Sequence, residues 1–240
     1  MKELSNKTLS QIVTDHHQTA RVFENYGLDF CCKGKRSLQS ACEEKGVPVE
    51  NLLEELYEVV MIDDNPSDFD KMSLTELAEY IVRVHHGYTT RNMPPITDYI
   101  GRVAAKHGDK YPFMVEVYTL FSELSREMME HMVKEEKILF PRIKLLELNA
   151  SENENVQSIQ SPILVMEAEH DHAGTIMQKI KQLTNNYTAP ENACTTFRLA
   201  MESLKAFEQD LHQHVHLENN ILFPKAIQLF TRPASCSIVR

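Results

Sequence analysis

The stretch that decides the fold reads His131-x-x-x-Glu135-x-x-Ile138-Leu139-Phe140-Pro141. The same pattern returns 83 residues later, as His214-x-x-x-Glu218-x-x-Ile221-Leu222-Phe223-Pro224. Two residues four positions apart lie on one face of a helix, about 6 Å apart along its axis. Because His and Glu are both ligands of transition metals, the repeat predicts two half-sites that face each other across a helical bundle with a pair of metal ions between them.

Composition supports an all-helical chain. The 240 residues are 42% hydrophobic, contain seven Gly and no Trp, and show no run of β-alternation. Helix-favouring residues are abundant, so we predict an all-α fold. The net charge of −10 argues against a nucleic-acid partner. No apolar run approaches the roughly 20 residues of a membrane span, and the polar N-terminus does not resemble a signal peptide.

Five cysteines, an odd number at irregular spacing, do not form the framework of a secreted disulfide-rich domain. We therefore predict a reducing, cytoplasmic location. Cys31 and Cys32 are adjacent, and a disulfide between neighbours would be strained, since their Cα atoms lie about 3.8 Å apart. Nearby Lys33, Lys35 and Arg36 should favour thiolate. This pair is a candidate redox or thiol-transfer site, or a transient ligand of iron or NO, and the alternative is that one thiol merely packs in a core.

Helix signals divide the chain into two domains. Three short helices are predicted within residues 1–62. The first opens with a capping box at Thr8 and Gln11 and continues to about Asn25, the second is capped by Ser37 and ended by Gly46, and the third runs from Pro48 to about Met61. Residues 63–72 form a polar linker, and the capping box Ser73-x-x-Glu76 opens a second domain at 73–240. Four long helices follow in that domain, from Leu74 to about Asn92, from Tyr111 or Pro112 to about Leu148, from Pro162 to about Asn185 and from about Pro190 to Phe230. A polar connection spans residues 149–161.

Helical phase selects the histidines of the bundle. On the first long helix the apolar stripe Leu74, Leu77 and Ile81 leads to His85, whereas His86 lies about 100° away. On the third, apolar residues bracket His170 and leave His172 pointing elsewhere. The fourth offers a rival register, Glu208-x-x-x-His212-x-x-x-His216, which the repeat excludes in favour of His214. The predicted ligands are six residues contributed by two pseudo-symmetric hairpins: His85, His131, Glu135, His170, His214 and Glu218.

A buried carboxylate needs a counter-charge, and no Lys or Arg shares the stripes of Glu135 and Glu218. Two metal ions would supply it. Mixed imidazole and carboxylate ligands suit iron or manganese, and also zinc. Two His per ion and two bridging carboxylates leave room for an oxo or hydroxo bridge and an open position, so we predict two non-haem irons able to perform redox chemistry or to bind O2 or NO. Glu130 and Glu169 flank the ligands and could support them from behind.

The chain resembles a known family. The four-helix part resembles a hemerythrin-like di-iron domain, and Tyr26-Gly27-Leu28-Asp29-Phe30-Cys31-Cys32 followed by Ser37-Leu38 resembles the short Cys-containing domain of the repair-of-iron-centres proteins. Lys33 departs from that pattern, in which Gly often follows the Cys pair. The resemblance implies the same six iron ligands and a cytosolic protein that restores iron–sulfur clusters damaged by nitric oxide or peroxide, with damaged iron–sulfur proteins as partners.

Three functional classes follow from this resemblance. The first is a repair protein that delivers iron or removes NO, assisted by Cys31 and Cys32, and the resemblance favours it over a conventional enzyme. The second is a hemerythrin-type carrier or sensor of O2 or NO, and the third is an enzyme that reduces NO. A homodimer is compatible with all three, since the Cys domain could dock on another copy.

Overall fold

The computed structural model of the chain describes residues 2–62, 68–148 and 157–231. Within these ranges the protein is all-α and contains no strand, as predicted. Residues 63–67 of the predicted linker and 149–156 of the predicted connection lie outside the described residues, as does Cys236. Within the rest of the predicted linker, Asp68–Lys71 form a 3₁₀ helix. None of the described helices is long and apolar enough to cross a membrane.

Five short helices form the N-terminal part, namely α1 (Lys2–Ser5), α2 (Leu9–Asp15), α3 (Ala20–Asn25), α4 (Leu38–Lys45) and α5 (Val49–Ile62). Thr8 and Gln11 form the predicted capping box at the start of α2. The helix predicted to continue to Asn25 is interrupted at His16, where a 3₁₀ turn (His17–Thr19) separates α2 from α3. Ser37 caps α4 and the left-handed Gly46, with φ of 65°, ends it as predicted.

Four long helices form a bundle, and three of them contain a short π-helical segment. The first consists of α6 (Leu74–Ile81), π1 (Val82–His86) and α7 (Gly87–His107), and the second of α8 (Phe113–Lys134), π2 (Glu135–Leu139) and α9 (Phe140–Leu148). The third is α10 (Gln157–Leu183), and the fourth consists of α11 (Thr195–His216), π3 (Leu217–Leu222) and α12 (Phe223–Thr231). Helix α8 packs against α7 and α10, and α7 packs against α11.

Predicted boundaries of three long helices are wrong. The fourth helix begins at Thr195 instead of about Pro190. The first long helix runs through Pro94 and Pro95 to His107 instead of ending near Asn92. A proline inside a helix costs about 3 kcal/mol, but Met93, Ile96 and Ile100 on this segment are buried in the core, and their burial offsets that cost. The third helix begins at Gln157, five residues before Pro162, because Ile159 is fully buried there.

The core consists of two apolar clusters. One joins the N-terminal helices to one end of the bundle and includes Phe23, Phe30, Phe121 and Phe207. The other fills the opposite end and includes Leu77, Ile143, Ile163 and Phe223. On each of the four long helices a polar residue lies between the segments that belong to the two clusters, and these residues form the candidate site.

Candidate metal centre

Six buried side chains from the four long helices meet between the two apolar clusters. They form two overlapping groups of four, within each of which the candidate ligand atoms lie within 4.8 Å of one another. Glu135 and Glu218 belong to both groups. One group adds His86 and His214, and the other adds His131 and His170. Each group could hold one metal ion, and the two shared carboxylates could bridge them.

The structure brings His86, and not the predicted His85, together with the other candidate ligands. His85 lies outside both groups and donates from Nδ1 to Asp210 at 3.0 Å, while His86 takes the expected place. The reason is π1, which inserts one extra residue into the turn and advances the helical phase by about 100°. In a π turn, residues on one face are about five apart, so the residue that follows buried Ile81 on its face is His86 rather than His85. The other five predicted residues lie together in the site.

The Nε2 atoms of the four histidines point toward the two carboxylates. His131 Nε2 lies 3.2 Å and His86 Nε2 3.3 Å from Glu135 Oε2. Across the site, His170 Nε2 lies 3.1 Å from Glu218 Oε2 and His214 Nε2 3.1 Å from Glu218 Oε1. His131 Nε2 and His170 Nε2 are 3.0 Å apart. The Nε2 atoms of four imidazoles and the oxygens of two carboxylates thus converge on one small, buried volume.

Several of these converging atoms lack hydrogen-bond partners among the described residues. Both carboxylate oxygens of Glu135, Oε2 of Glu218 and Nε2 of His86 are buried without one. Glu135 and Glu218 are fully buried, and an unpartnered buried carboxylate is strongly unfavourable. A pair of divalent or trivalent cations would compensate these groups, and the imidazole and carboxylate donors suit iron. The residues present therefore fit the predicted metal pair.

The electrostatics of the site keep both carboxylates ionised. Burial and the neighbouring Glu218 raise the pKa of Glu135, but the facing His131 and His86 outweigh them and lower it below the usual value. Burial also raises the pKa of Glu218, yet His214 and His170 bring it well below the usual range. Burial lowers the pKa of His131, but the carboxylates of Glu135 and Glu169 outweigh burial and raise that pKa to about 9. The site therefore favours negative carboxylates and attracts positive charge.

Three of the four histidines are oriented from behind by a hydrogen bond from Nδ1. His131 donates to Glu169 at 2.9 Å, and Lys134 pairs with the same carboxylate. His170 donates to Asn219 at 2.8 Å, and His86 donates to Glu136 at 2.9 Å. The Nδ1 of His214 is buried without a partner among the described residues. Such bonds fix the ring and its tautomer, so that Nε2 is free to bind a metal.

Only part of this supporting layer was predicted. Of the two glutamates predicted to flank the ligands, Glu169 contacts His131, whereas Glu130 pairs with Arg126 on the surface. Glu136 and Asn219 were not predicted as partners of the histidines. A signal was available, because these two residues occupy matching positions of the repeat, each directly after a Glu of the site.

His172, His212 and His216, which the sequence did not assign to the centre, lie outside it. His172 pairs with Glu127 near the surface at 3.3 Å. His212 lies 3.3 Å from Glu24, and His216 Nε2 lies 3.3 Å from Thr14 Oγ1, so both face the N-terminal helices. Burial lowers the pKa of His216 to about 4, so this ring is neutral at physiological pH.

The Cys pair lies in a loop that contacts the fourth helix. Cys31 is buried and Cys32 half-buried, with their Sγ atoms 3.9 Å apart as free thiols. Asn220 donates to the carbonyl oxygen of Cys31 at 2.9 Å. The predicted thiolate is not supported for Cys31, because the hydrogen bond with Cys32, burial and the carboxylate of Asp29 raise its pKa well above the usual value. Lys33 and Lys35 are exposed, where solvent screens their charge.

The other two described cysteines lie apart from the Cys pair. Cys42 is buried in the core of the N-terminal helices. Cys194 is exposed, with Sγ 3.7 Å from Nε2 of His107. Neither residue approaches the candidate metal centre.

Comparison with known proteins identifies two family models in the chain. Residues 5–60 match the ScdA_N domain, a domain of unknown function, and residues 77–226 match the hemerythrin HHE cation-binding domain. The second match covers every residue of the candidate metal centre.

Several whole proteins are similar along nearly their entire length. The iron–sulfur cluster repair protein ScdA of Staphylococcus epidermidis is 31% identical over 219 residues, which cover 90% of this chain and 96% of that protein. The iron–sulfur cluster repair protein YtfE of Yersinia pseudotuberculosis is 33% identical over 223 residues, or 93% and 97% of the two chains. A probable iron–sulfur cluster repair protein of Haemophilus influenzae is 32% identical over 225 residues, again 93% and 97%. The order of the two domains and the similarity along the whole chain confirm the resemblance drawn from the two motifs, and the chain belongs to the repair-of-iron-centres family of hemerythrin-like proteins.

Proposed function

We propose that the chain is a cytoplasmic non-haem di-iron protein that repairs iron–sulfur clusters damaged by nitrosative or oxidative stress. The observation that carries this proposal is the pair of buried four-residue groups that share Glu135 and Glu218. Similar proteins are named for cluster repair, which supports the task, and the four described cysteines are free thiols, which suits a reducing compartment.

In this proposal His86 and His214 hold one iron, His131 and His170 hold the other, and both carboxylates bridge the pair. An oxo or hydroxo bridge and an open position complete the set predicted from the number of protein ligands. When bound, such a pair supplies redox chemistry and sites for small ligands. The protein itself fixes the rings through Glu136, Glu169 and Asn219, keeps the carboxylates charged and excludes water with the two apolar clusters.

A cavity supports access from one side. It lies between α8 and α10, has a volume of about 530 Å³, and its lining includes Leu124, Met128 and Ala173 together with His131. Most of the wall is apolar, which suits a small uncharged ligand such as NO or O2 better than a large polar substrate. Glu169 and Lys134 also line it and form an ion pair. This cavity favours NO or O2 as the small ligand in the proposal.

The ligand assignment is tested by the double variant Glu135→Ala and Glu218→Ala. Iron analysis with Mössbauer spectroscopy on the reconstituted parent should give about two coupled irons per chain, and the double variant should bind none. Glu130→Ala is the matched control, because Glu130 is an exposed glutamate on the same helix as Glu135 and pairs only with Arg126. Retention of both irons by the double variant would refute the assignment.

The task is tested by loading the protein with ⁵⁷Fe and mixing it with a purified enzyme whose iron–sulfur cluster has been damaged by NO. Delivery predicts ⁵⁷Fe in the restored cluster, together with recovery of that enzyme's activity. If activity recovers while all ⁵⁷Fe stays bound, delivery is wrong and removal of NO is favoured. Release of N2O over many turnovers would indicate an NO-reducing enzyme instead, and reversible O2 uptake without repair would indicate a carrier.

A further inference from the structure

A second cluster of metal-binding atoms lies in the loop between α3 and α4. The carboxylate of Asp29 and the thiols of Cys31 and Cys32 have ligand atoms within 4.8 Å of one another. Cys31 Sγ lies 3.3 Å from Asp29 Oδ1 and 3.9 Å from Cys32 Sγ. None of these residues belongs to the dinuclear centre, so the cluster is a separate feature of the N-terminal part.

These separations match the edges of a tetrahedral metal site. Bonds of about 2.3 Å to sulfur and about 2.0 Å to oxygen place two sulfur ligands about 3.8 Å apart, and a sulfur and an oxygen about 3.5 Å apart. The observed values of 3.9 Å and 3.3 Å are close to both. A disulfide would instead require about 2.05 Å between the sulfurs. The thiols now share hydrogen bonds at these distances, and a cation could replace the bonding protons without moving the sulfur atoms, whereas a disulfide would require the two sulfurs to approach each other.

The backbone holds this arrangement before any ligand binds. Asp29 Oδ1 accepts the N–H groups of Cys31 at 3.0 Å and of Cys32 at 2.9 Å. Asn220 fixes the carbonyl oxygen of Cys31 from the bundle. The loop is also tight, since a Cβ at Gly34 would lie 2.0 Å from the carbonyl oxygen of Phe30. A preorganised loop of this kind reduces the entropy lost when a ligand binds.

We propose that Asp29, Cys31 and Cys32 form a mononuclear binding site for a thiophilic divalent cation, with the fourth position open. Two thiolates and one carboxylate suit Fe²⁺, Zn²⁺ or Co²⁺. Binding replaces the two thiol protons, which pass to solvent, and the three negative ligands leave the complex with one net negative charge. Cys32 is half-buried, so the fourth position faces the accessible side of the loop. An open position allows an acceptor to take the metal by ligand exchange.

The cluster lies close to the dinuclear centre. Cys32 Sγ is 4.0 Å from the point where a Cβ of Gly174 would stand, and Gly174 follows His170 by one helical turn, about 6 Å along the axis. Asn220, which holds the loop, is two residues from Glu218. A cation bound here would lie next to the helices that carry the centre, in a position suited to a metal in transit. The existence of the site does not depend on the proposed dinuclear function.

The test uses the full chain with its iron centre loaded, kept reduced and without oxygen, and titrated with Co²⁺. The expected result is a sulfur-to-cobalt charge-transfer absorption that saturates at about one equivalent. Cys32→Ser should abolish the band, whereas Cys42→Ser, which changes a thiol buried in the core, should keep it. Asp29→Asn retains the oxygen that accepts the two N–H groups but loses the charge, and it should weaken Co²⁺ binding by about ten-fold or more.

Absence of the cobalt band in the parent, or its persistence in the Cys32→Ser variant, would overturn the proposal. Unchanged Co²⁺ affinity in the Asp29→Asn variant would remove Asp29 from the site and overturn it equally. Iron content is measured in every sample. A failure of the dinuclear centre appears as missing iron with the cobalt band intact, and a failure of this site appears as a missing band with iron intact.

Discussion

The two hairpins of the bundle carry the same ligands but differ in their surroundings. Helices α6–α9 form the first hairpin and α10–α12 the second, with His86 matched by His170 and Glu135 by Glu218. In the first, Ile138 of the repeated motif is 57% exposed, whereas its counterpart Ile221 is 2% exposed. Helix α2 packs against π3, so the N-terminal part covers the second hairpin. A duplicated sequence thus gives one shared candidate metal centre and two different outer faces.

A second difference concerns the histidines. His131 is held from behind by Glu169, but His214 has no such partner among the described residues. The position that matches Glu169 in the first hairpin is His85, whose ring stacks on His214 with centroids 5.7 Å apart. Hydrogen bonds to Nδ1 therefore hold both histidines of one half of the centre, but only one histidine of the other half. Since such hydrogen bonds strengthen metal binding, the iron held by His86 and His214 should be the weaker one.

The largest expected effect is on iron content, and it tests whether His86 or His85 is the iron ligand. Asn preserves a donor near the position of Nδ1 but removes Nε2, so both residues can be changed in the same way. His86→Asn should lose about one iron per chain, as should the symmetric His170→Asn, whereas His85→Asn should keep both. Iron analysis with Mössbauer spectroscopy gives the result. Loss of iron from the His85 variant alone would restore the assignment made from helical phase.

The unequal burial of the repeat predicts unequal stability effects. Ile221→Ala removes a fully packed side chain and should lower the free energy of unfolding by about 2–5 kcal/mol. Ile138→Ala changes an exposed residue at the matching position and should stay within about 0.5 kcal/mol. Urea unfolding monitored by circular dichroism measures both. Equal losses would show that the two halves of the motif are equally buried in solution.

Because hydrogen bonds to Nδ1 hold the histidines unequally, the two irons should be released at different rates. Chelation of the parent should proceed in two phases, and Glu169→Ala should accelerate the slow one, because loss of such a support weakens metal binding by about 10–100-fold. Glu130→Ala should leave both phases unchanged. Stopped-flow absorption of the iron–chelator complex follows the release. Identical slow phases in the parent and the Glu169 variant would contradict the proposed difference.

The smallest effect concerns the Cys loop on the second hairpin. Asn220 holds this loop, while the matching Lys137 is exposed. Asn220→Ala should increase the alkylation rate of Cys31 by about two- to ten-fold, since a hydrogen bond contributes about 0.5–1.5 kcal/mol. Lys137→Ala should not change that rate.

Alkylation should also accelerate as the pH rises well above neutral. Thiolate is the reactive form, and burial beside Cys32 and Asp29 raises the pKa of Cys31. Mass spectrometry of each cysteine after timed quenching measures the rate. A Cys31 that reacts as fast as exposed Cys194 in the parent chain would contradict the buried, hydrogen-bonded thiol described here.

Much of the fold was predictable because its signals are local. The capping boxes at Thr8 and Ser73 and the left-handed Gly46 are encoded within a few residues, and the structure contains all three. Five of the six residues in the centre followed from helical phase and the repeat. His86 did not, because helical phase assumes 3.6 residues per turn throughout. The wider turn of π1 shifts the phase by about one residue immediately before the site.

The sequence by itself determined the helical class, the duplicated hairpin and the chemistry of the metal ligands, since periodicity, caps and residue types act over one or two turns. Only the tertiary structure decided which of two adjacent histidines joins the candidate centre and how far the first helix continues past Pro94 and Pro95. It also decided that the thiol form of Cys31 is favoured over the thiolate. Each of these depends on packing against residues distant in the chain, whose burial and electrostatic environment outweigh the local preference. The repeat specified His131, Glu135, His214 and Glu218 of the candidate centre, and the packing of the N-terminal part on one hairpin gave the bundle two different outer faces.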